Sequence, residues 1–414
     1  MAQAQQATTA PEGLTPEAPT DDSLLDLGAT LGAEFARDAA ARDLDRSLPH
    51  AELARLKASG FAAARIGADY GGAGVSFTAM AQALQAVAAG DPNIAQAIQP
   101  HLNFLDVIAL YATPSQKADF YARVLRGELI TNAFAERGGT RVGEVNVALT
   151  PAGQGYLLTG RKFYCTGSLY AENLFVLCRT TDGVRAIAVL PVDRPGLQID
   201  DDWDGMGQRT TASGTAIFTD VEVAASEVIL QPQFHDWRSF AGASAQIYHA
   251  AIDVGIAEAA LRDILPFVRD KARPAVEAGV SRQADDPYVL HLAGELSLHL
   301  HQAEAMLERG GRLLDRAAKA QLAGGTDPDR LEDLLSRASI AVAEAKASAQ
   351  NAALFITQSI YGLAGASATL RPDNFDRHWR NARTHTTHDP VSYKYRAIGD
   401  FLINGRRPPI TTKI

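Results

Sequence analysis

"LFVLCRTTDGVRAIAVLPV", residues 174–192, decides how the chain divides. Two apolar runs rich in β-branched residues flank Asp182-Gly183, a dipeptide tolerant of positive φ, so the stretch predicts two strands joined by a type I′ hairpin. Working outward, the strand signal extends from about Leu129 to Leu230. At its end lies "GTAIFTDVEV" (214–223), where Val221 and Val223 fall on one face and Glu222 on the other. Several short strands with tight turns predict a small sandwich or barrel.

On both sides the apolar period changes to that of helices. In "FTAMAQALQAVAAG" (77–90) Met80, Leu84 and Val87 share one face, and Gly90 is expected as the C-cap. The glycines of "GADYGGAGVS" (67–76) fit neither a GxGxxG nor a Walker spacing, so they predict a turn between helices. Beyond the strands, Asp286-Pro287 and Asp327-Pro328 each predict a cap followed by proline at N1. The second opens a long run rich in small residues that reaches about Gly362, which implies an antiparallel bundle. The expected fold class is multidomain α+β. Its parts are a disordered tail (1–21), an N-terminal helical domain (22–128), a central β domain (129–235) and a C-terminal helical bundle (236–414).

Composition removes several function classes. Apolar residues make up 46% and charged residues 21% of the 414, as in an ordinary globular protein with a large core. The net charge of −9, without a sustained basic run, argues against nucleic acid as a partner. The first residues lack the basic and apolar regions of a secretory signal, and no run of about 18 apolar residues predicts a membrane span. A cytoplasmic protein is expected. Cys165 and Cys178 are too few for a disulfide framework and too isolated for zinc; both read as half-buried strand thiols.

"RTHTTHDPVSYK" (383–394) offers three readings. His385 and His388 are spaced for a metal pair but lack an HExxH context and companion ligands, so no metal is expected. Asp389-Pro390 reads as a helix N-cap with proline at N1. The third reading is an acid/base centre, which suits histidine because its ordinary pKa of about 6.5 lies near working pH.

Other motifs favour the third. "DYGGAG" (69–74), "NAFAERGGT" (132–140), "GRKFYCTGS" (160–168) and "WDGMGQRTTASGTAIF" (203–218) resemble, in this order, the acyl-CoA dehydrogenase superfamily over nearly the whole chain. In "GRKFYCTGS", Tyr164 and Thr166 match the aromatic and threonine of the family's K-x-W-x-T strand, which lies against a flavin. Dehydrogenases of the family keep a proton-abstracting glutamate either early in the first helix of the C-terminal bundle or near the chain end. Here no acid occurs between Ser239 and Ile252, and "THTTHDP" stands at the second place. The C-terminal stretch 376–409 is similar to that of the flavin-dependent monooxygenases of this fold, in the dibenzothiophene and alkyl-sulfone, sulfur-acquisition branch.

The resemblance implies a two-component enzyme that takes reduced FMN (alternatively FAD) from a separate NAD(P)H:flavin reductase. With O2 it would form a C4a-hydroperoxyflavin and oxygenate a small apolar, organosulfur substrate. It also implies a homotetramer. His388 would donate a proton, with Asp389 beside it among the cofactor-binding group, and Thr166 and Asn132 would lie near the flavin's reactive edge. Tyr164, Trp203 and Ser213 would line the flavin and His101 would touch substrate; for the phosphate, a dianion that wants fork-shaped donors, Arg282 and Arg371 are the candidates, acting across a subunit interface. Alternatives are an N-oxygenase or aromatic hydroxylase of the same fold, an acyl-CoA dehydrogenase, and a non-catalytic flavin-binding protein. Each residue also has a bland reading: Thr166 as a β-former, Asn132 as a loop amide, His101 as a core group, the arginines as solvated surface.

Overall fold

The computed structural model describes residues 20–137, 143–231 and 237–414. Helix α1 (Asp21–Ala36) begins with Thr20 as its cap, in a reciprocal capping box with Ser23. Thr20 and Asp21 therefore belong to the helix, and the rest of the expected tail lies outside the described residues. Next come α2 (Ala39–Asp45), α3 (His50–Ala58), α4 (Phe77–Gly90), α5 (Pro92–Tyr111) and α6 (Pro114–Leu125). Met80, Leu84 and Val87 are fully buried, as their spacing predicts. Gly90 is not the expected C-cap: it is the last helical residue of α4, and Asp91 follows in extended backbone, accepting from Asn93 N to start α5. Glycine is needed at 90 because a Cβ there would sit 2.2 Å from the Gly32 carbonyl oxygen, where α1 crosses α4.

The strands are β1 (Ile130–Ala133), β2 (Ala148–Ala152), β3 (Gly155–Lys162), β4 (Asn173–Thr180), β5 (Arg185–Pro191), β6 (Leu197–Asp200), β7 (Thr215–Ala224) and β8 (Val228–Leu230). The expected sandwich or barrel takes the form of one curled sheet in the order β6-β7-β3-β2-β4-β5-β8, with β1 parallel to β4. β4 and β5 bury both faces, which is why the deciding stretch reads as continuous apolar runs. Leu174, Val176 and Cys178 point into the sheet's own core, whereas Phe175 and Leu177 pack with Phe104 of α5 and Phe120 of α6. The hairpin between them is not type I′. Only Gly183 has positive φ (85°), and its N–H donates to Thr180 O, so a type I turn is followed by one left-handed glycine in a three-residue loop. Val221 and Val223 are buried and Glu222 is exposed, as predicted. Both cysteines are fully buried rather than half-buried, and Cys165 lies in the loop after β3, not in a strand.

The remaining helices are α7 (Ala241–Asp270), α8 (Pro287–Ala323), α9 (Pro328–Ala364), α10 (Asp376–His385) and α11 (Ser392–Asn404). Asp286 and Asp327 cap α8 and α9 through Tyr288 N and Arg330 N, each with proline in the first turn. Among the described residues no helix is long and apolar enough to cross a membrane.

Candidate active site

Two walls of polar groups are brought together by α5, which packs on β1, and by the 203–213 loop, which rests on α5 and α10. The strand-side wall grows from the end of β3. Tyr164 adopts φ of 56°, a conformation that strains any residue with a Cβ, and this turns its ring outward to 48% exposure. Asn132 of β1 pins that turn, its Nδ2 donating to Tyr164 O at 2.9 Å. The Trp203 ring meets the Tyr164 ring edge-on at 5.9 Å, and its indole N–H donates to Gln208 O.

Behind this aromatic shelf runs a ladder of buried hydroxyls. Thr166 Oγ1 lies 2.9 Å from Ser213 Oγ, which lies 2.7 Å from Thr211 Oγ1, and Thr211 donates to Gln208 O at 3.0 Å. Each hydroxyl has one hydrogen, and a carbonyl can only accept. Thr211 therefore spends its hydrogen on Gln208, Ser213 on Thr211, and Thr166 on Ser213. The Thr166 oxygen is left as an acceptor toward any N–H placed against it.

The helix-side wall is ionic. Asp253 of α7 is wholly buried, with Lys346 Nζ of α9 2.5 Å from one oxygen and His385 Nδ1 of α10 2.6 Å from the other. Burial pushes its carboxyl up, but Lys346 and His385 outweigh this and hold it below the usual range. His385 Nε2 lies 3.0 Å from His249 Nδ1 of α7 and 3.1 Å from the Gln96 carboxamide of α5. Burial, together with nearby positive charge, depresses His249 well below an ordinary histidine. The His388 ring packs on that of His249, centroids 4.2 Å apart, with 43% of its side chain exposed.

Asp389 does not cap α11, which starts at Ser392 without a side-chain cap. Its carboxylate instead takes the Lys394 ammonium and lies 3.5 Å from His388 Nδ1. Burial raises this carboxyl, but the His388 hydrogen bond and Lys394 prevail and hold it well below the usual range. With one oxygen on Lys394 and the residue 4% exposed, Asp389 anchors the loop. Lys394 also donates to Lys413 O, tying the loop to the C-terminal segment.

A short joint couples the walls. Asn381, one turn before His385 on the same buried face of α10, accepts Gln208 N at 2.7 Å. At Gly207 a Cβ would come within 2.0 Å of the Arg380 carbonyl oxygen, so only glycine permits this approach. On α5, Asn93 accepts Thr210 N, three residues before Gln96 reaches His385.

Of the residues singled out from sequence, Asn132, Tyr164, Thr166, Trp203 and Ser213 come together, and His388 sits on the opposite wall. Arg371 lines a cavity of about 400 Å³ beside Gly205 and Met206, in the loop that carries Trp203. Arg282 lies exposed ahead of α8, outside that cavity's lining. His101 is not a substrate contact. It is wholly buried, Nε2 donating to Ala62 O and Nδ1 accepting from Ile130 N, both at 3.0 Å, which leaves neither ring nitrogen for a ligand. No group of three or more potential metal ligands occurs among the described residues. His249, Asp253, Lys346 and Gln96 escaped the sequence reading; Asp253 stands one residue beyond the stretch found to lack an acid.

Comparison with known proteins fits this arrangement. The chain matches the acyl-CoA dehydrogenase N-terminal domain over 28–128, the middle domain over 133–221 and the C-terminal domain over 247–393. It is 29% identical to dibenzothiophene monooxygenase of Rhodococcus qingshengii, covering 95% of this chain and 96% of that one. To the probable FMNH2-dependent monooxygenase SfnC of Pseudomonas putida it is 30% identical, with 93% and 95% covered. The crystal structure of FMN-bound TdsC from Paenibacillus sp. A11-2 superposes with a TM-score of 0.87 at 30% identity, over 94% of this chain and all of that one. The chain belongs to the acyl-CoA dehydrogenase family, and within it to the flavin-dependent monooxygenases. Its cofactor is FMN, used in an oxidoreductase reaction with dioxygen.

Proposed function

We propose that this monooxygenase receives reduced FMN from a separate NAD(P)H:flavin reductase and transfers one oxygen atom to a small apolar organosulfur substrate in the cytoplasm. The observation that carries the reading is the state of Asp253. It is the acid that α7 carries beside the first of the two places where a dehydrogenase keeps its base, and both its oxygens are engaged by Lys346 and His385 at zero exposure; Asp389, at the second place, is likewise buried and paired with Lys394. A carboxylate so engaged cannot take a proton from a thioester substrate, whereas His388 at the mouth of the same wall can hold or release one.

The residues fit the cofactor. Tyr164 and Trp203 give an aromatic shelf for a planar ring system, and Thr166 presents an acceptor oxygen suited to an N–H of the reduced ring. Arg371, exposed and beside the Trp203 loop, suits a phosphate dianion, and Arg282 would reach one from a neighbouring subunit. Reduced FMN, when bound, supplies the two electrons and two hydrogens by which dioxygen yields one oxygen atom for sulfur and one molecule of water. His388 donates to the departing oxygen and regains its proton from solvent. Exposed Tyr288, Leu290 and Leu298 on α8, and Leu402 and Ile403 on α11, support burial against other copies, as in a homotetramer.

The test mixes the protein with chemically reduced FMN, oxygen and a panel of sulfides, sulfones, amines, phenols and an acyl-CoA, with products identified by mass spectrometry. A sulfoxide or sulfone from the organosulfur members is expected. In a separate anaerobic mixture with oxidised FMN, reduction of the flavin by the acyl-CoA would overturn the reading. His388→Ala should lower oxygen transfer by about 10²- to 10⁴-fold while FMN still binds.

A further inference from the structure

We propose that His249, His385, Asp253 and Lys346 form a buried positioning relay behind His388, with Nε2 of His249 as its outer end. The inference rests on the reading of His388 as the proton donor. Its argument follows hydrogens inward to outward. A carboxylate only accepts, so the 2.6 Å contact with Asp253 puts a hydrogen on His385 Nδ1. Neutral His385 then has its lone pair on Nε2, and His249 Nδ1, 3.0 Å away, must donate to it. The unprotonated nitrogen of His249 is therefore Nε2. Lys346, 1% exposed, keeps Asp253 ionised and so keeps the whole sequence of donors in this sense.

The relay has a second balanced state. A proton taken at His249 Nε2 is matched by transfer of the Nδ1 hydrogen to His385 Nε2. The net positive charge then rests on His385, against Asp253, two groups in from the surface. The Gln96 carboxamide oxygen lies 3.1 Å from that nitrogen, an orientation that accepts from Nε2–H in the second state; in the first state the carboxamide turns its N–H toward the lone pair. The charged and titratable groups that face His249 are His388, His385, Lys346 and Lys394, with Asp253 and Asp389 paired to them. The carboxylate and His385 fix the proton arrangement of the imidazole on which His388 packs, as a carboxylate does for an imidazole in acid/base triads.

The first measurement uses cofactor-free protein with 15N-labelled histidine: His385 and His249 should both carry hydrogen on Nδ1 at neutral pH. Finding His249 with hydrogen on Nε2 alone would overturn the relay. The second uses His249→Phe, which keeps a ring under His388 but no nitrogen, and Asp253→Asn. Each should lower kcat about 10- to 100-fold with KM little changed and displace the pH profile of kcat, with His249→Gln recovering part of the loss. A Phe variant with wild-type kcat and pH profile would sink the proposal, and it carries the test if Asp253→Asn does not fold. Full turnover in His388→Ala with the stated tautomers present would remove the His388 reading alone; reversed tautomers with an inactive His388→Ala would remove the relay alone.

Discussion

The two walls of the site are built on opposite plans. The strand-side wall uses neutral hydroxyls, an amide and two aromatic rings, drawn from β1 and two short stretches at 164–166 and 203–213. The helix-side wall uses a buried ion pair and three imidazoles from α7, α9, α10 and the following loop, joined across sequence separations of 93 and 136 residues. Stranding a buried neutral group costs about 1–3 kcal/mol, whereas stranding a buried charge costs about 3–5 kcal/mol. The comparison therefore breaks most visibly at Lys346. Lys346→Met removes the ammonium from the Asp253 carboxylate at zero exposure, leaving only the His385 N–H on it, and should cost about 3–5 kcal/mol of stability, read from the denaturation midpoint. If that loss were no larger than for a change in the hydroxyl ladder, the contrast between the walls would be wrong.

His101 belongs to neither wall and sharpens the contrast through pH. Burial depresses it to about 4 in the folded chain, and His378, buried in the first turn of α10, is likewise depressed to about 4 by burial and Arg377. An unfolded histidine titrates near its ordinary value, so between these pH values the unfolded chain binds more protons. Stability is complete above about pH 6.5, falls as pH drops toward 4, and each group contributes about 3 kcal/mol at most over that window. His101→Gln can keep both backbone hydrogen bonds and carries no titrating nitrogen. Its stability should decline less steeply across the window, with activity at neutral pH retained. An unchanged slope would show that His101 is not held neutral in the folded chain.

The contrast also explains what was legible in the sequence. Tyr164, Thr166, Trp203 and Ser213 sit in two contiguous motifs, so a linear reading finds them together. The β4–β5 runs likewise announced buried strands, although the turn type depended on the φ of Asp182, which composition does not fix. Asp253 and Lys346 carried no such signal. Each is one of several charged residues in a long alanine-rich helix, indistinguishable there from a solvated position until the helices are packed. His101 misled for a related reason: a histidine on an apolar helix looks the same whether it faces a ligand or, as here, two backbone groups.

The joint between the walls is the next place to probe. Gly207→Ala drives a methyl group into the Arg380 carbonyl oxygen and should separate the 203–213 loop from α10, at about 1–3 kcal/mol. The loss should fall on both FMN affinity and kcat, since the aromatic shelf and His388 would no longer share a fixed frame. An effect on affinity alone would mean that α10 is positioned by Asp253 without help from the loop.

Thr166→Val should have the smallest effect, and its form is the informative part. The swap preserves shape and removes the hydrogen that Thr166 gives to Ser213, while Ser213 keeps its own bond to Thr211. Folding stability should drop by about 1 kcal/mol or less, because no charge is stranded and only one neutral hydrogen bond is lost. What disappears outward is the acceptor oxygen, so reduced FMN should bind about fivefold more weakly, the equivalent of one ordinary hydrogen bond. More of the oxygen consumed should then appear as free hydrogen peroxide rather than in product. Thr166→Ser restores the oxygen without the methyl group and should recover both quantities. If serine fails where valine fails, the side chain acts through packing, and the strand-side wall would then owe its function to shape rather than to the direction of its hydroxyls.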